Sequence, residues 1–211
     1  YNLYILNMNS GKELVTELIK LQTKYTKTDR AITTREKYEA FYLNKFVKEL
    51  DFNNKLLRES LIEHVGHLPI IATFLYPHIE NRDKIDLGKT LLMLAIHDIG
   101  ETEVGDVITY KKTKEHQNLE IAAAKNILDE SYIDIFQEFE DVESLEAKFA
   151  KAIDSLAPLL HEVDLPDVTA KRFKYFGFNE ETIIKKKRPL FIWDSVLLGI
   201  FDYCIEEYKK I

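Results

Sequence analysis

Hydrophobic positions recur along this chain at helical spacing, and no segment of any length alternates with the period of a β-strand. Residues 91–101 are apolar around most of a helix circumference and end in His97 and Asp98, with Glu101 close behind. A helix with this pattern belongs in a protein interior rather than on its surface. The pattern therefore predicts an all-α fold organised around this central helix, with Asp86 as its N-cap.

Similar apolar stripes predict the other helices, separated by polar connectors. They cover residues 10–21, 33–50, 58–76, 115–139, 144–161, 169–184 (as short helices around Gly177) and 190–209. Pro69 lies inside the helix over 58–76 and predicts a kink about one turn after His64. The polar stretch from Lys24 to Arg30 is predicted to be a loop.

Composition excludes several classes of partner. The chain has 211 residues and a formal net charge of -7, which argues against nucleic acid, because phosphate backbones require a basic footprint. No apolar run approaches the ~18 residues of a membrane-spanning helix, so no membrane partner is expected. The one cysteine, Cys204, fits a reducing compartment, and we expect a cytoplasmic protein.

Ionisable residues at buried positions of three predicted helices need an explanation. His64 lies beside one apolar stripe, His97 and Asp98 end the central helix, and Asp154 stands among alanines. A buried carboxylate is costly unless it is paired or binds a metal. Two imidazoles and two carboxylates suit Mn(II), Co(II), Fe(II), Zn(II) or, less well, Mg(II). One divalent metal ion is therefore the predicted cofactor.

The order His…His-Asp…Asp along an all-α chain resembles the HD-domain metal-dependent phosphohydrolases. Within that family the chain is most similar to the branch of bacterial 5′-deoxyribonucleotidases and related small HD proteins. The matching blocks are residues 59–64, 97–106 and 146–154, and the resemblance spans roughly residues 56–162. It implies a helical N-terminal extension, a metal-binding core and C-terminal helices that complete the same domain, over residues 1–50, 51–165 and 166–211.

The resemblance also implies roles for individual side chains. The implied metal ligands are His64, His97, Asp98 and Asp154. Glu101 would orient or deprotonate the attacking water, and Asp106 would face that water or the sugar. The implied activity is the release of phosphate from a small phosphorylated substrate, best matched by a (deoxy)nucleoside 5′-monophosphate.

The chain departs from the branch in its phosphate contacts. The branch carries an Arg-Trp pair well upstream of the first histidine, and the corresponding region here, residues 47–52, contains neither residue. The substitutes available on charge alone are Arg58, Lys111, Lys112 and Lys114. The basic run from Lys185 to Arg188 is expected to be a solvated surface.

Two other functions stay open on the same fold. One is cleavage of a pyrophosphate in a nucleotide or alarmone, although alarmone hydrolases carry Glu-Asp where this chain has Glu101-Thr102. The other is a non-catalytic module that binds a metal or nucleotide. Dinuclear HD enzymes carry further histidines between the His-Asp pair and the last Asp, and here only His116 lies in that interval, so the resemblance implies a mononuclear site. The resemblance and the apolar last helix favour a homodimer.

Overall fold

The computed structural model describes residues 24–25, 27–34, 58–164 and 166–210. Most of the predicted N-terminal extension, including the predicted helix beyond Thr34, lies outside these residues. The three-part division of the chain stays a prediction. None of the described helices is both long enough and apolar enough to cross a membrane.

The described residues are mainly α-helical, which confirms the predicted fold class. The helices are α1 Leu61–Leu75, α2 Leu87–Ile96, α3 Glu101–Val104, α4 Lys114–Ile127, α5 Glu130–Asp141, α6 Leu145–Asp164, α7 Pro166–Phe176, α8 Glu180–Lys187 and α9 Ser195–Tyr208. Short 3-10 helices cover Tyr76–His78, Arg82–Lys84 and Arg188–Leu190. The predicted helix over 115–139 is in fact two, because Asp129 caps a new helix.

A small antiparallel sheet corrects the predicted absence of strands. Strand β1, Asp29–Thr34, pairs with β2, Arg58–Ser60, so that Asp29 lies opposite Ser60. The predicted loop ending at Arg30 was therefore wrong in its last residues, as was the helix start at Thr33. Strand β2 has three residues, too few to show a recognisable alternation of apolar and polar positions. Its pairing partner, β1, is distant in sequence.

Strand β2 leads directly into α1, and a capping box fixes the transition. The Glu63 backbone N–H donates to Ser60 Oγ, while the Ser60 backbone N–H donates to the Glu63 carboxylate at 2.7 Å. This reciprocal pair satisfies two donors at the helix start. It places His64 just past the first turn of α1, with Pro69 further along the same helix.

Helix α6 makes the most contacts in the core. It packs against α1, α2, α5 and α9, and Phe149, Ile153 and Leu156 on it are fully buried. The predicted central helix, α2, is one of its neighbours and is capped by Asp86 as expected. Because α1, α2 and α6 contact one another, ionisable residues on these three helices converge on one point.

Candidate active site

His64 and Asp154 meet across the contact between α1 and α6. His64 Nε2 lies 3.2 Å from Asp154 Oδ1. The His64 side chain is buried, whereas about a quarter of the Asp154 side chain, 24%, is exposed. The alanines on either side of Asp154, Ala150 and Ala157, are buried. Their small size allows α1 to approach α6 closely at this point.

His97 follows the last residue of α2 and completes the cluster. Its Nδ1 donates to the Leu94 carbonyl at 2.9 Å, which leaves Nε2 as the atom that faces the other side chains. That atom is buried and makes no hydrogen bond with any described residue. It lies 3.1 Å from Asp98 Oδ2 and 3.6 Å from Asp154 Oδ1. A backbone partner on one ring nitrogen is the usual arrangement for a histidine that binds metal through the other.

Electrostatics around the cluster favour positive charge. Burial lowers the pKa of His97, but the neighbouring carboxylates of Asp98 and Asp154 raise it to about 10. Although burial alone would raise it, His97 and Arg30 hold the pKa of Asp98 well below its usual range. Burial would also raise the pKa of Asp154, but the neighbouring His64 and His97 lower it well below its usual value. Asp98 and Asp154 are therefore ionised and can pair with a cation.

Arg30 reaches this cluster from β1, and nothing in the sequence pattern indicated it. Its Nη1 donates to Asp98 Oδ2 at 2.9 Å and to Glu101 Oε2 at 3.3 Å, and its Nε lies 3.5 Å from Asp106 Oδ2. The strand pairing explains the position of Arg30, because β1 pairs with β2 and β2 leads into the helix that carries His64. One guanidinium thus contacts three acidic side chains.

Glu101 opens α3 and is almost fully buried. Burial and the charges of Asp98 and Asp106 raise its pKa well above the usual value, although Arg30 and Lys112 lower it in part. A carboxyl group in such an environment can hold a proton at neutral pH and exchange it with a bound molecule.

A cavity of about 670 Å³ opens onto these groups, which is large enough for a nucleotide-sized ligand. Its acidic and imidazole lining includes His97, Asp98, Glu101, Asp106, Glu120 and Asp154. Its basic lining includes Arg30, Lys112, Lys114, Lys151, Lys186 and Lys187. Positive side chains around an acidic centre are what a phosphorylated ligand and a bridging cation require.

The predicted phosphate contacts are only partly found at the cavity. Lys112 lines it and lies 3.6 Å from Glu101 Oε1, whereas neither Arg58 nor Lys111 belongs to the lining. The prediction that Lys185–Arg188 is a solvated run fails at Lys187, which is buried and donates to the Ser155 carbonyl at 3.2 Å. A helix places successive side chains on different faces, so one member of a charged run can point inward.

The donor set fits a divalent metal. His64, His97 and Asp154 each offer a ligand atom, and these atoms lie within 4.8 Å of one another. Asp98 Oδ2 adds a fourth, 3.6 Å from His64 Nε2. Ligands at about 2.0–2.2 Å from one ion are separated by about 3.0–3.6 Å. The observed spacings approach that range, and the unpaired Nε2 of His97 would gain a partner.

Comparison with known proteins identifies the family. A family model described as HD domain matches residues 45–189, and the chain belongs to that family. A 5'-deoxynucleotidase HDDC2 of Dictyostelium discoideum is 31% identical over 150 residues, covering 64% of this chain and 79% of that protein. The human protein of the same name is 24% identical over 148 residues, covering 65% and 70%.

Solved structures show the same fold. The structure titled a predicted metal-dependent phosphohydrolase from Magnetospirillum magnetotacticum superposes with a TM-score of 0.71 at 22% identity, covering 93% of this chain and 94% of that one. The PH0347 protein of Pyrococcus horikoshii gives a TM-score of 0.59 at 21% identity, covering 88% and 97%. At these identities the likeness concerns the fold alone.

Proposed function

We propose that this protein is a metal-dependent phosphohydrolase that releases phosphate from a (deoxy)nucleoside 5′-monophosphate. The observation that carries the proposal is the convergence of His64, His97, Asp98 and Asp154 at the edge of a cavity with basic walls. The relatives named 5'-deoxynucleotidase supply the substrate class.

The four converging residues would hold one divalent ion, whose identity the donor set leaves among Mn, Co, Fe, Zn and Mg. When bound, such an ion activates a water molecule and polarises a phosphoryl oxygen. The protein's contribution is to fix the ligands. His97 is oriented by the Leu94 carbonyl, and the charge of Asp98 is maintained by the neighbouring Arg30.

Three cationic side chains in the cavity wall would orient the substrate. Arg30, Lys112 and Lys187 all line it, and a phosphate group would accept charge-assisted hydrogen bonds from them. Arg30 already contacts acidic side chains, so phosphate binding would exchange one set of oxygen partners for another. Burial lowers the pKa of Lys187, and an incoming phosphate would stabilise its charged form.

Proton transfer falls to Glu101. Its carboxyl group forms ion pairs with Arg30 and Lys112. Its pKa is nevertheless raised, chiefly by burial. We place it as the group that, in its ionised form, accepts a proton from the attacking water and passes a proton to the sugar oxygen as the phosphorus–oxygen bond breaks. Asp106 is held by Arg30 at the same wall, where it would face the water or the sugar hydroxyl groups.

The test is release of phosphate from a panel of nucleoside 5′-mono-, di- and triphosphates with Mn(II), Co(II), Mg(II) or a chelator. The proposal expects inorganic phosphate from monophosphates, only when metal is present. Pyrophosphate as the product would assign the reaction to the pyrophosphohydrolases. Nucleotide binding without any product would indicate a non-catalytic module that binds nucleotide.

Two properties of the working protein complete the proposal. The family resemblance supports a homodimer, and Ile70 and Phe74 on α1 are 66% and 72% exposed, which is unusual for large apolar side chains. Sedimentation of the wild type and of Phe74→Glu tests the homodimer: a monomer in both proteins would exclude it.

The single buried Cys204 supports a cytoplasmic location.

A further inference from the structure

We propose a second metal site, formed by Glu59, His67 and His161 and distinct from the site at Asp154. It would hold a divalent transition metal of the Zn(II) class between β2, α1 and α6. The inference does not depend on the phosphohydrolase activity. It rests on the convergence of three ligand atoms that come from three separate elements of the fold.

One carboxylate oxygen faces both imidazoles. Glu59 Oε1 lies 3.4 Å from His67 Nδ1 and 3.8 Å from His161 Nε2. The two rings are tilted, with centroids 5.6 Å apart, and all three ligand atoms lie within 4.8 Å of one another. Ligands of a tetrahedral Zn(II) are separated by about 3.0–3.6 Å. Glu59 Oε1 is already at or near that spacing from both nitrogens, and the two nitrogens, at most 4.8 Å apart, would need to approach by no more than about 1.2 Å to complete three coordination positions.

The chemistry of the three donors selects the kind of ion. Two imidazoles and one carboxylate suit Zn(II), Fe(II), Co(II) or Ni(II), whereas Mg(II) and Ca(II) prefer oxygen ligands alone. The Glu59 side chain is 5% exposed, His161 14% and His67 26%. The ligands are thus mostly buried, yet the His67 edge remains open for ion entry and for water as a fourth ligand.

Position makes this a structural site rather than a catalytic one. None of the three residues lines the cavity at Asp98. His67 follows His64 by about 4.5 Å along α1, and His161 follows Asp154 by about 10.5 Å along α6. An ion here would join the two helices that present His64 and Asp154 and would hold β2 against both.

A hydrogen-bonded network without metal is the competing interpretation of the same contacts. It would require only one close partner for Glu59 and would not require both imidazoles to face the same oxygen. The two interpretations differ in metal stoichiometry, which can be measured without any substrate.

The experiment is a titration of chelator-treated protein with Zn(II) against a chromophoric competitor. Wild type should bind two equivalents, Asp154→Ala one, and His67→Gln/His161→Gln one. Glu59→Gln, which keeps the side-chain volume, should also lose one equivalent. His116→Gln is the matched control and should bind two, because His116 caps α4 and belongs to neither cluster.

Co(II) provides a second readout. Its visible spectrum should lose one component in the His67→Gln/His161→Gln variant and a different one in Asp154→Ala. Circular dichroism confirms that each variant is folded. A wild type that binds one equivalent, abolished by Asp154→Ala, would overturn the proposal, as would a folded double variant that still binds two.

Discussion

Two clusters of histidine and carboxylate bridge the same pair of helices, α1 and α6, and they differ in what surrounds them. At His64 and Asp154 the ligands join Asp98, Glu101 and a cavity with basic walls. At His67 and His161 the carboxylate of Glu59 faces the rings, and none of these three residues lines that cavity. On the two proposals above, similar donor groups would serve chemistry in one place and hold helices together in the other.

Charge explains the difference. Four carboxyl groups, those of Asp98, Glu101, Asp106 and Asp154, line the cavity at the first cluster, where Arg30 and Lys112 contact them. The second cluster contributes one carboxylate, Glu59, so a divalent ion bound there would keep a net positive charge.

Asp154→Ala should separate the two clusters most strongly. It removes a ligand of the first and leaves the second untouched, so phosphate release should fall by more than about 100-fold while one equivalent of Zn(II) still binds. Asp134→Ala, at an exposed position of α5, is the control. Equal phosphate release by the two variants would exclude Asp154 from the site.

Glu101→Gln should slow turnover without loss of metal. The amide cannot accept the proton, and general base catalysis typically contributes about 100- to 10,000-fold, so kcat should fall within that range. Metal content measured by elemental analysis should match that of the wild type. A variant that retains the wild-type kcat would remove Glu101 from the mechanism.

Arg30→Ala should raise KM more than it lowers kcat. A hydrogen bond to a charged group contributes about 1.5–3 kcal/mol, which corresponds to roughly 10- to 100-fold in KM. Arg30→Lys should recover only part of the loss, because an ammonium group cannot bridge several oxygens as a guanidinium does. An unchanged KM in Arg30→Ala would show that Lys112 and Lys187 suffice for phosphate binding.

Gly100→Ala tests how closely the first cluster depends on packing. A Cβ at Gly100 would lie 2.2 Å from the Glu120 carbonyl oxygen, so α3 and α4 would have to separate. We expect a loss of about 1–3 kcal/mol, seen as a decrease in Tm of roughly 2–12 °C. Zn(II) binding at His67 and His161 should persist.

Gly66→Ala is the matched control, because a Cβ there meets nothing within 4 Å. Gly66 lies inside α1, where alanine should stabilise by up to about 1 kcal/mol. A Gly100→Ala protein as stable as Gly66→Ala would mean that the contact between α3 and α4 can relax.

The fold class was predictable because it depends on periodicity, which is local. The stripes around Leu68, Leu94 and Ile153 predicted buried helices, and all three residues are fully buried. Helix boundaries were less accurate: Asp129 divides one predicted helix into two. The convergence of the four predicted ligands follows from packing, and the sequence indicated it through ionisable residues at buried helix positions and through the family resemblance.

Arg30 and Lys187 could not have been found in the same way. Arg30 owes its position to the pairing of β1 with β2, a contact between residues about thirty positions apart. Lys187 belongs to the charged run 185–188, and the sequence pattern of that run does not distinguish the one residue that is buried. Both residues become visible only when tertiary contacts are known, and the cluster at Glu59 has the same origin.

The most direct measurement is phosphate release during stepwise return of Mn(II) or Co(II) to chelator-treated protein, with bound metal counted at each step. A metal-dependent phosphohydrolase centred on Asp154 should gain activity in proportion to occupancy of the site that Asp154→Ala removes. Full activity in the presence of chelator, or activity that follows occupancy in the Asp154→Ala variant, would contradict that assignment.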